Sequence, residues 1–193
     1  ITGDLIDKIA WLPQVCERLT TFAKQIPDGV DFILGNHEYH HDVNKVLDEL
    51  KHNTPMNILV NSNIQIMGGK QPVYIAGVAY DNDREKEKRE AMIDKALSGI
   101  PDYAFVILLA HHPEFFEEAI ERKIPLTLSG HTHGGQIVFM GMPLVPTGTP
   151  YTKGRYVEEQ SVCYVNNGSG HWFPIRIKCP REITVITFFD GVA

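Results

Sequence analysis

Ala104-Phe105-Val106-Ile107-Leu108-Leu109-Ala110-His111-His112-Pro113 is seven consecutive apolar residues followed by two histidines and a proline. A run this short and this apolar reads as a strand covered on both faces, the pattern of a parallel sheet with layers on either side. It is far below the roughly 18 residues of a membrane span, and no other apolar run is longer. Polar residues that follow such a strand stand at its carboxyl end, where open α/β sheets collect their chemistry.

The same arrangement recurs outward in both directions. Residues 30–34 form a short apolar strand before Gly35-Asn36-His37-Glu38, and residues 126–128 another before Gly130-His131-Thr132-His133-Gly134-Gly135-Gln136. Near the start stands Gly3-Asp4-Leu5-Ile6-Asp7. Between these, Ile9, Leu12, Cys16, Leu19, Ala23 and Ile26 fall at steps of three and four, one face of a helix stopped by Pro27-Asp28-Gly29. Asp42 is placed to cap a second helix with Val43, Val46, Leu47 and Leu50 inward. Further strands are expected at 57–60, 63–67 and 73–80, a turn at Gly68-Gly69, and helices at 84–97 and from Pro113 to about 122. From Gln136 the chain becomes strand- and turn-rich and ends in an expected strand at 182–189. Strands alternating with helices imply an α/β layered fold, read as a single domain over 1–193.

Composition narrows the function. Hydrophobic residues make up 43% of 193, enough for a real core and against disorder. With 18 basic against 24 acidic residues the net charge is −6, so no broad nucleic-acid surface is expected. Three cysteines, Cys16, Cys163 and Cys179, lack a CxxC spacing and read as small buried hydrophobes rather than a disulfide framework. Eight of nine histidines fall in or near three clusters. Imidazole nitrogen together with carboxylate oxygen suits Zn, Mn or Fe.

Taken in order, these motifs resemble those of the calcineurin-like metallophosphoesterases, whose pattern runs Asp-x-His, Gly-Asp-x-x-Asp, Gly-Asn-His-Asp/Glu, a His, and Gly-His-x-His. The last four blocks are present between Gly3 and His133. The Gly-His-Thr-His-Gly-Gly-Gln run and Pro-Arg-Glu-Ile-Thr-Val-Ile-Thr ending resemble the bacterial phosphohydrolase branch. The resemblance implies a four-layer α/β/β/α sandwich and hydrolysis of a phosphomonoester or phosphodiester by a metal-bridging hydroxide. It implies Asp4 as a ligand shared by two divalent ions, with Asn36, His111 and His131 completing one site and His133 belonging to the other. His111 is taken over His112 because the pattern sets its ligand two before the proline. His37 is implied as general acid, oriented by Asp7; a carboxylate partner fixes an imidazole's tautomer.

The first block, Asp-x-His, does not occur. The expectation is therefore a chain lacking its N-terminal strand and two ligands, holding one ion or none where the complete protein holds two. The alternatives are a defective relative or a non-catalytic scaffold of the same fold. A phosphate-ester substrate is the expected partner, and a cytoplasmic location or one peripheral to a membrane is expected, with any anchor upstream. His37-Glu38-Tyr39-His40-His41 also matches the zinc-peptidase pattern, but that chemistry needs one continuous helix, and Gly35-Asn36 immediately precede it.

Overall fold

A computed structural model describes residues 1–68, 70–79, 85–171 and 173–188. After a 3-10 turn at Ile9–Trp11 come α1 (Leu12–Ala23), β1 (Asp31–Phe32), α2 (Asn36–Tyr39), α3 (Val43–Asn53), β2 (Asn57–Ile58), β3 (Ser62–Met67) and β4 (Val73–Gly77). Then follow α4 (Lys86–Leu97), β5 (Phe105–Leu109), α5 (Phe115–Glu121), β6 (Leu126–Ser129), β7 (Val138–Phe139), β8 (Met142–Pro143), β9 (Gly154–Glu158) and β10 (Ser161–Val165). Six strands form one sheet in the order β3-β4-β5-β6-β10-β9. Its four middle strands are parallel, and β3 and β9 close the edges antiparallel. β1 and β2 form a small parallel sheet, and β7 with β8 a hairpin.

The core divides into three clusters, and these define the layers. Val106, Leu108 and Ala110 pack with Ile93 and Ala96 of α4 and Phe115, Phe116 and Ala119 at α5. Ile107 and Leu109 point the other way and meet Ile33 and Leu59 between the two sheets. Leu12 and Cys16 of α1 and Val46 and Leu50 of α3 cover the outer face of the small sheet with Phe32 and Leu34. The result is the α/β/β/α sandwich. β5 is apolar throughout because successive side chains of a strand face opposite layers, and here both layers are dry.

Local signals account for most elements. Pro13 occupies the first turn of α1, where its missing N–H costs nothing. Asp42 caps α3 by accepting from the amides of Asn44 (3.2 Å) and Lys45 (3.3 Å). Arg89 of α4 pairs with the fully buried Glu118 of α5 at 2.6 Å, tying the two helices of one layer.

Several expectations need correction. Val30, Phe32, Ile33 and Leu34 are buried as expected and Asp31 half-buried, yet the strand itself covers only Asp31–Phe32, with Ile33 bonded back to the Ile1 carbonyl at 3.1 Å. No strand forms over residues 182–188: Ile183 and Val185 are both 87% exposed, and the segment is held by side chains, Thr184 Oγ1 accepting from Asn166 Nδ2 at 2.7 Å. The end of the expected strand at 73–80, Arg84, Gly69 of the expected turn and Phe189 lie outside the described residues. The peptidase reading fails on geometry, because α2 stops at Tyr39 and His41 lies beyond it, bonded through Nε2 to the Asp7 carbonyl (3.1 Å).

Candidate metal centre

Two glycine contacts bring the motifs together. A Cβ on Gly3 would stand 2.6 Å from the Gly35 backbone, and one on Gly35 would stand 2.3 Å from Asp4 Oδ1. Only hydrogen fits at either position, so the loops carrying Asp4 and Asn36 touch backbone to backbone. Gly3 (φ 89°) and Asp4 (φ 55°) both lie in the left-handed region.

Glu38 locks this junction. It is fully buried, and its carboxylate accepts from the amides of Asp4 (2.9 Å), Leu5 (2.7 Å), Ile6 (3.2 Å) and Gly35 (2.6 Å). Asp4 in turn accepts from the amide of His37 through Oδ1 at 3.0 Å.

Four candidate ligands converge. His111, just past β5, donates Nδ1–H to the Thr2 carbonyl at 2.6 Å. Its Nε2 then faces Asn36 Oδ1 (3.0 Å), His131 Nδ1 (3.1 Å) and Asp4 Oδ2 (3.3 Å). His131 Nδ1 also lies 2.9 Å from Asn36 Oδ1. Asp4, His111 and His131 offer ligand atoms all within 4.8 Å of one another. With its Nδ1 proton committed to Thr2, a neutral His111 turns a lone pair toward two oxygens. Such a set of converging electron pairs is satisfied by a cation, and its N/O composition fits Zn, Mn or Fe. His112 is not part of it: its ring lies against His131 with centroids 3.8 Å apart, and its Nδ1 pairs with Glu114 at 3.4 Å.

The electrostatics agree. For His111, burial opposes the charged ring, but the hydrogen bond and charge of Asp4 outweigh it and raise its pKa. Burial likewise disfavours an ionised Asp4, yet His111 and the His37 amide hold its carboxyl far below the usual range. His131 is lowered to about 3 by burial and by neighbouring His112 and His111. His133 is lowered to about 4 by burial and by Arg176. Both are thus kept as neutral imidazoles, the form that binds metal.

A pH dependence follows. Below about pH 6.5 the unfolded chain protonates histidines that the fold keeps neutral, so stability falls as the pH drops from 6.5 toward 4. Asp4, with its depressed pKa, adds to the loss near its ordinary value and below. The raised pKa of His111 works oppositely, stabilising at low pH and losing that effect as the pH rises through it. Glu38, its pKa raised by burial, acts in the same sense as His111, and the large depressions of His131 and His133 outweigh both, giving a net decline measurable as a Tm falling from about pH 6.5 to about pH 4 in the chelated protein. A flat Tm over that interval would contradict it.

His37 and Asp7 form the second part of the site. His37 Nδ1 donates to Asp7 Oδ1 at 3.2 Å, leaving Nε2 directed inward, 3.9 Å from Asp4 Oδ2. His133 stands apart from the four converging ligands but lines a cavity of about 210 Å³ with Asp4, Asn36, His37 and His131. A larger cavity of about 550 Å³ reaches the same histidines from the side of residues 166–171 and 182–184.

Two contributors are invisible to motif reading. One is the role of Glu38. The other is Arg176, whose guanidinium donates to the carbonyls of Gly170 (2.6 Å), Asn167 (2.8 Å), Cys179 (3.3 Å) and His133 (3.4 Å). It fastens the loop at 167–170 to the turn carrying His133. The available signal was one arginine flanked by Ile175 and Ile177.

Comparison with known proteins agrees with this geometry. Residues 1–135 match the calcineurin-like phosphoesterases. An uncharacterised metallophosphoesterase of Campylobacter jejuni is 36% identical over 96% of the chain and 49% of its own length. One from Helicobacter pylori is 32% identical over the same shares. A transmembrane protein with metallophosphoesterase domain from Danio rerio is 31% identical over 96% of the chain and 44% of its own length. The chain spans about half the length of these relatives.

Proposed function

The chain belongs to the calcineurin-like phosphoesterase family, and from that premise we propose that it hydrolyses a phosphate monoester or diester at the Asp4–Asn36–His111–His131 cluster. The observation that supports this best is the convergence of Asn36 Oδ1, His131 Nδ1 and Asp4 Oδ2 on His111 Nε2, all within 3.3 Å. These four residues would hold one divalent ion, with Asp4 shared toward a second at His133. Bound Mn, Fe or Zn would supply Lewis-acid charge to a phosphoryl oxygen and lower the pKa of a water.

The chain's own residues prepare the rest. Thr2 fixes the His111 tautomer, and Glu38 fixes the backbone that aims Asp4. Asp7 holds the Nδ1 proton of His37, so the proton exchanged with substrate is the one on Nε2, which faces the cleft. His37 then delivers that proton to the leaving oxygen. Asp7 is 64% exposed, so the pair orients the ring without adding much stability. A scaffold has no use for such a pair beside a ligand cluster.

The test is hydrolysis of an aryl phosphodiester, expected to require added metal and to stop with chelator. Replacing His37 with alanine should lower kcat by about 10²–10⁴-fold while leaving metal content unchanged. Asp7→Asn should cost about 10–100-fold and shift the pH profile. Hydrolysis indifferent to chelator, or a fully active His37→Ala, would overturn the assignment.

Location is part of the proposal. No helix among the described residues is long and apolar enough to cross a membrane. We place the chain at a membrane periphery, a reading in keeping with the printed name of the Danio rerio relative.

A further inference from the structure

The β7–β8 hairpin carries an unusual surface. Phe139 and Met142 are cross-strand partners, and Met140-Gly141 form the connecting turn. Phe139 is 60% exposed, Met140 79%, Met142 68% and Leu144 62%. Val138, the inward residue of the first strand, is buried. An antiparallel pair with one face on the protein normally turns polar residues to water on the other. Here the outward pair, Phe139 and Met142, and Met140 at the tip are all large and apolar. Ile177, exposed and bridged to Ile137, extends the patch.

The turn makes the choice of residue sharper. Met140 (φ 49°) and Gly141 (φ 84°) both have positive φ. A two-residue hairpin turn of this kind favours Asn-Gly or Asp-Gly, because a long side chain gains nothing from the left-handed region. Methionine there serves neither the turn nor solubility. Violations of local rule of this sort concentrate where a surface is used.

Charge selects the kind of surface. The chain is acidic overall, yet no Asp or Glu occurs between residues 122 and 157. The exposed Lys178 follows Ile177, whose carbonyl accepts from the Val138 amide at 2.9 Å, so a cation stands beside the hairpin's first strand. An apolar tip with Lys178 beside its base and no carboxylates in its own segment matches an anionic lipid interface, with methionine and phenylalanine entering the acyl boundary. An acidic protein groove would use the cation but leave Met140 without a partner.

The hairpin is also tied rigidly to the candidate centre. A Cβ on Gly135 would stand 2.3 Å from Pro143 Cβ, so β8 lies directly against the turn that carries His131 and His133. The Leu144 amide donates to the Ile137 carbonyl at 2.8 Å. Val145 and Pro146, at the base of the hairpin, line the smaller cavity together with Asp4, His37 and His131. The base of the hairpin thus borders the cavity that holds the candidate ligands.

We propose that the β7–β8 hairpin inserts its Phe139-Met140-Gly141-Met142 tip into an anionic lipid surface and so holds the metal centre at phosphate esters presented there. This deepens the function proposed above and rests on it for what the docked centre does. The experiment is flotation of the full-length protein with vesicles of phosphatidylcholine alone and of phosphatidylcholine with about 30% phosphatidylglycerol. Soluble aryl phosphodiester hydrolysis is measured in parallel. Binding is expected to the anionic vesicles, weakened about tenfold by Met140→Asn and further by adding Met142→Ser. Met140→Asn should at the same time raise Tm, since asparagine suits the turn, so lost binding cannot be ascribed to unfolding. Hydrolysis of the soluble ester should be unchanged in both variants.

Equal flotation with both vesicles, or flotation indifferent to the substitutions, would overturn the proposal. So would a concentration-dependent dimer abolished by Met140→Asn, which would give the hairpin to a second copy. Flotation without hydrolysis would reject the proposed function alone; hydrolysis without flotation would reject the hairpin's role alone.

Discussion

Replacing Asp4 with alanine is expected to lower kcat/KM by about 10³-fold or more, and to strip metal from the protein. Asp4 is the one carboxylate in the group whose ligand atoms lie within 4.8 Å. Without it, two neutral imidazoles and an amide oxygen face each other, a set with no charge to hold a divalent ion. The substitution also removes the acceptor for the His37 amide, so the ring proposed as general acid loses its backbone anchor. Asp4→Asn separates the two effects. It keeps an oxygen for the His37 amide and removes the charge, so metal content should fall as far as in Asp4→Ala while the fold is disturbed less. Elemental analysis together with turnover decides the matter. An alanine variant that retains both metal and activity would remove Asp4 from the site.

Glu38→Ala should have the largest effect on stability. Its carboxylate is the shared acceptor for four backbone amides, and none of these belongs to a helix or strand ladder that could replace it. Leaving buried donors unpaired costs about 1–3 kcal/mol each, and relaxation of the two loops recovers part of that. A net loss of about 4 kcal/mol is expected, a Tm drop of about 8–16 °C for a domain of this size. Glu38→Gln should recover little, because its amide group turns a donor toward donors. Glu38→Asp should recover more, by keeping the charge one methylene shorter. Denaturant titration reads all three. A Glu38→Ala protein as stable as the parent would show that water replaces the carboxylate without penalty.

The two residues were unequally visible in the sequence. Asp4 sits in a motif whose order along the chain betrays its use. Glu38 sits in another, but its bonds reach Asp4, Leu5 and Ile6, more than thirty residues away. Periodicity and spacing describe neighbours along the chain and not such returns. The same divide runs through the fold. The face of α1, the Asp42 cap and the two-sided burial of β5 are local patterns, and each was legible. The length of β1 was not, because burial and ladder assignment part company at residues 30–34: Val30, Ile33 and Leu34 are enclosed, yet the regular ladder to β2 covers Asp31–Phe32 alone. Residues 182–188 show the converse, with five consecutive β-branched side chains at 183–187 but no strand, since propensity does not provide a neighbour to pair with. Arg176 escaped because its partners are carbonyl oxygens, which every residue possesses and no motif marks.

The two-sided burial of β5 has a consequence for error. Sliding this strand by one residue against β4 would send Ile107 and Leu109 toward the helices and Val106 and Leu108 between the sheets. On a strand with one wet face such a slip is penalised once; here two cores object together. The same slip would turn His111 out of the cluster. The strand's alignment is thus proofread by packing alone, before any ion or substrate arrives, and His111 inherits its position from hydrophobic residues that take no part in the chemistry.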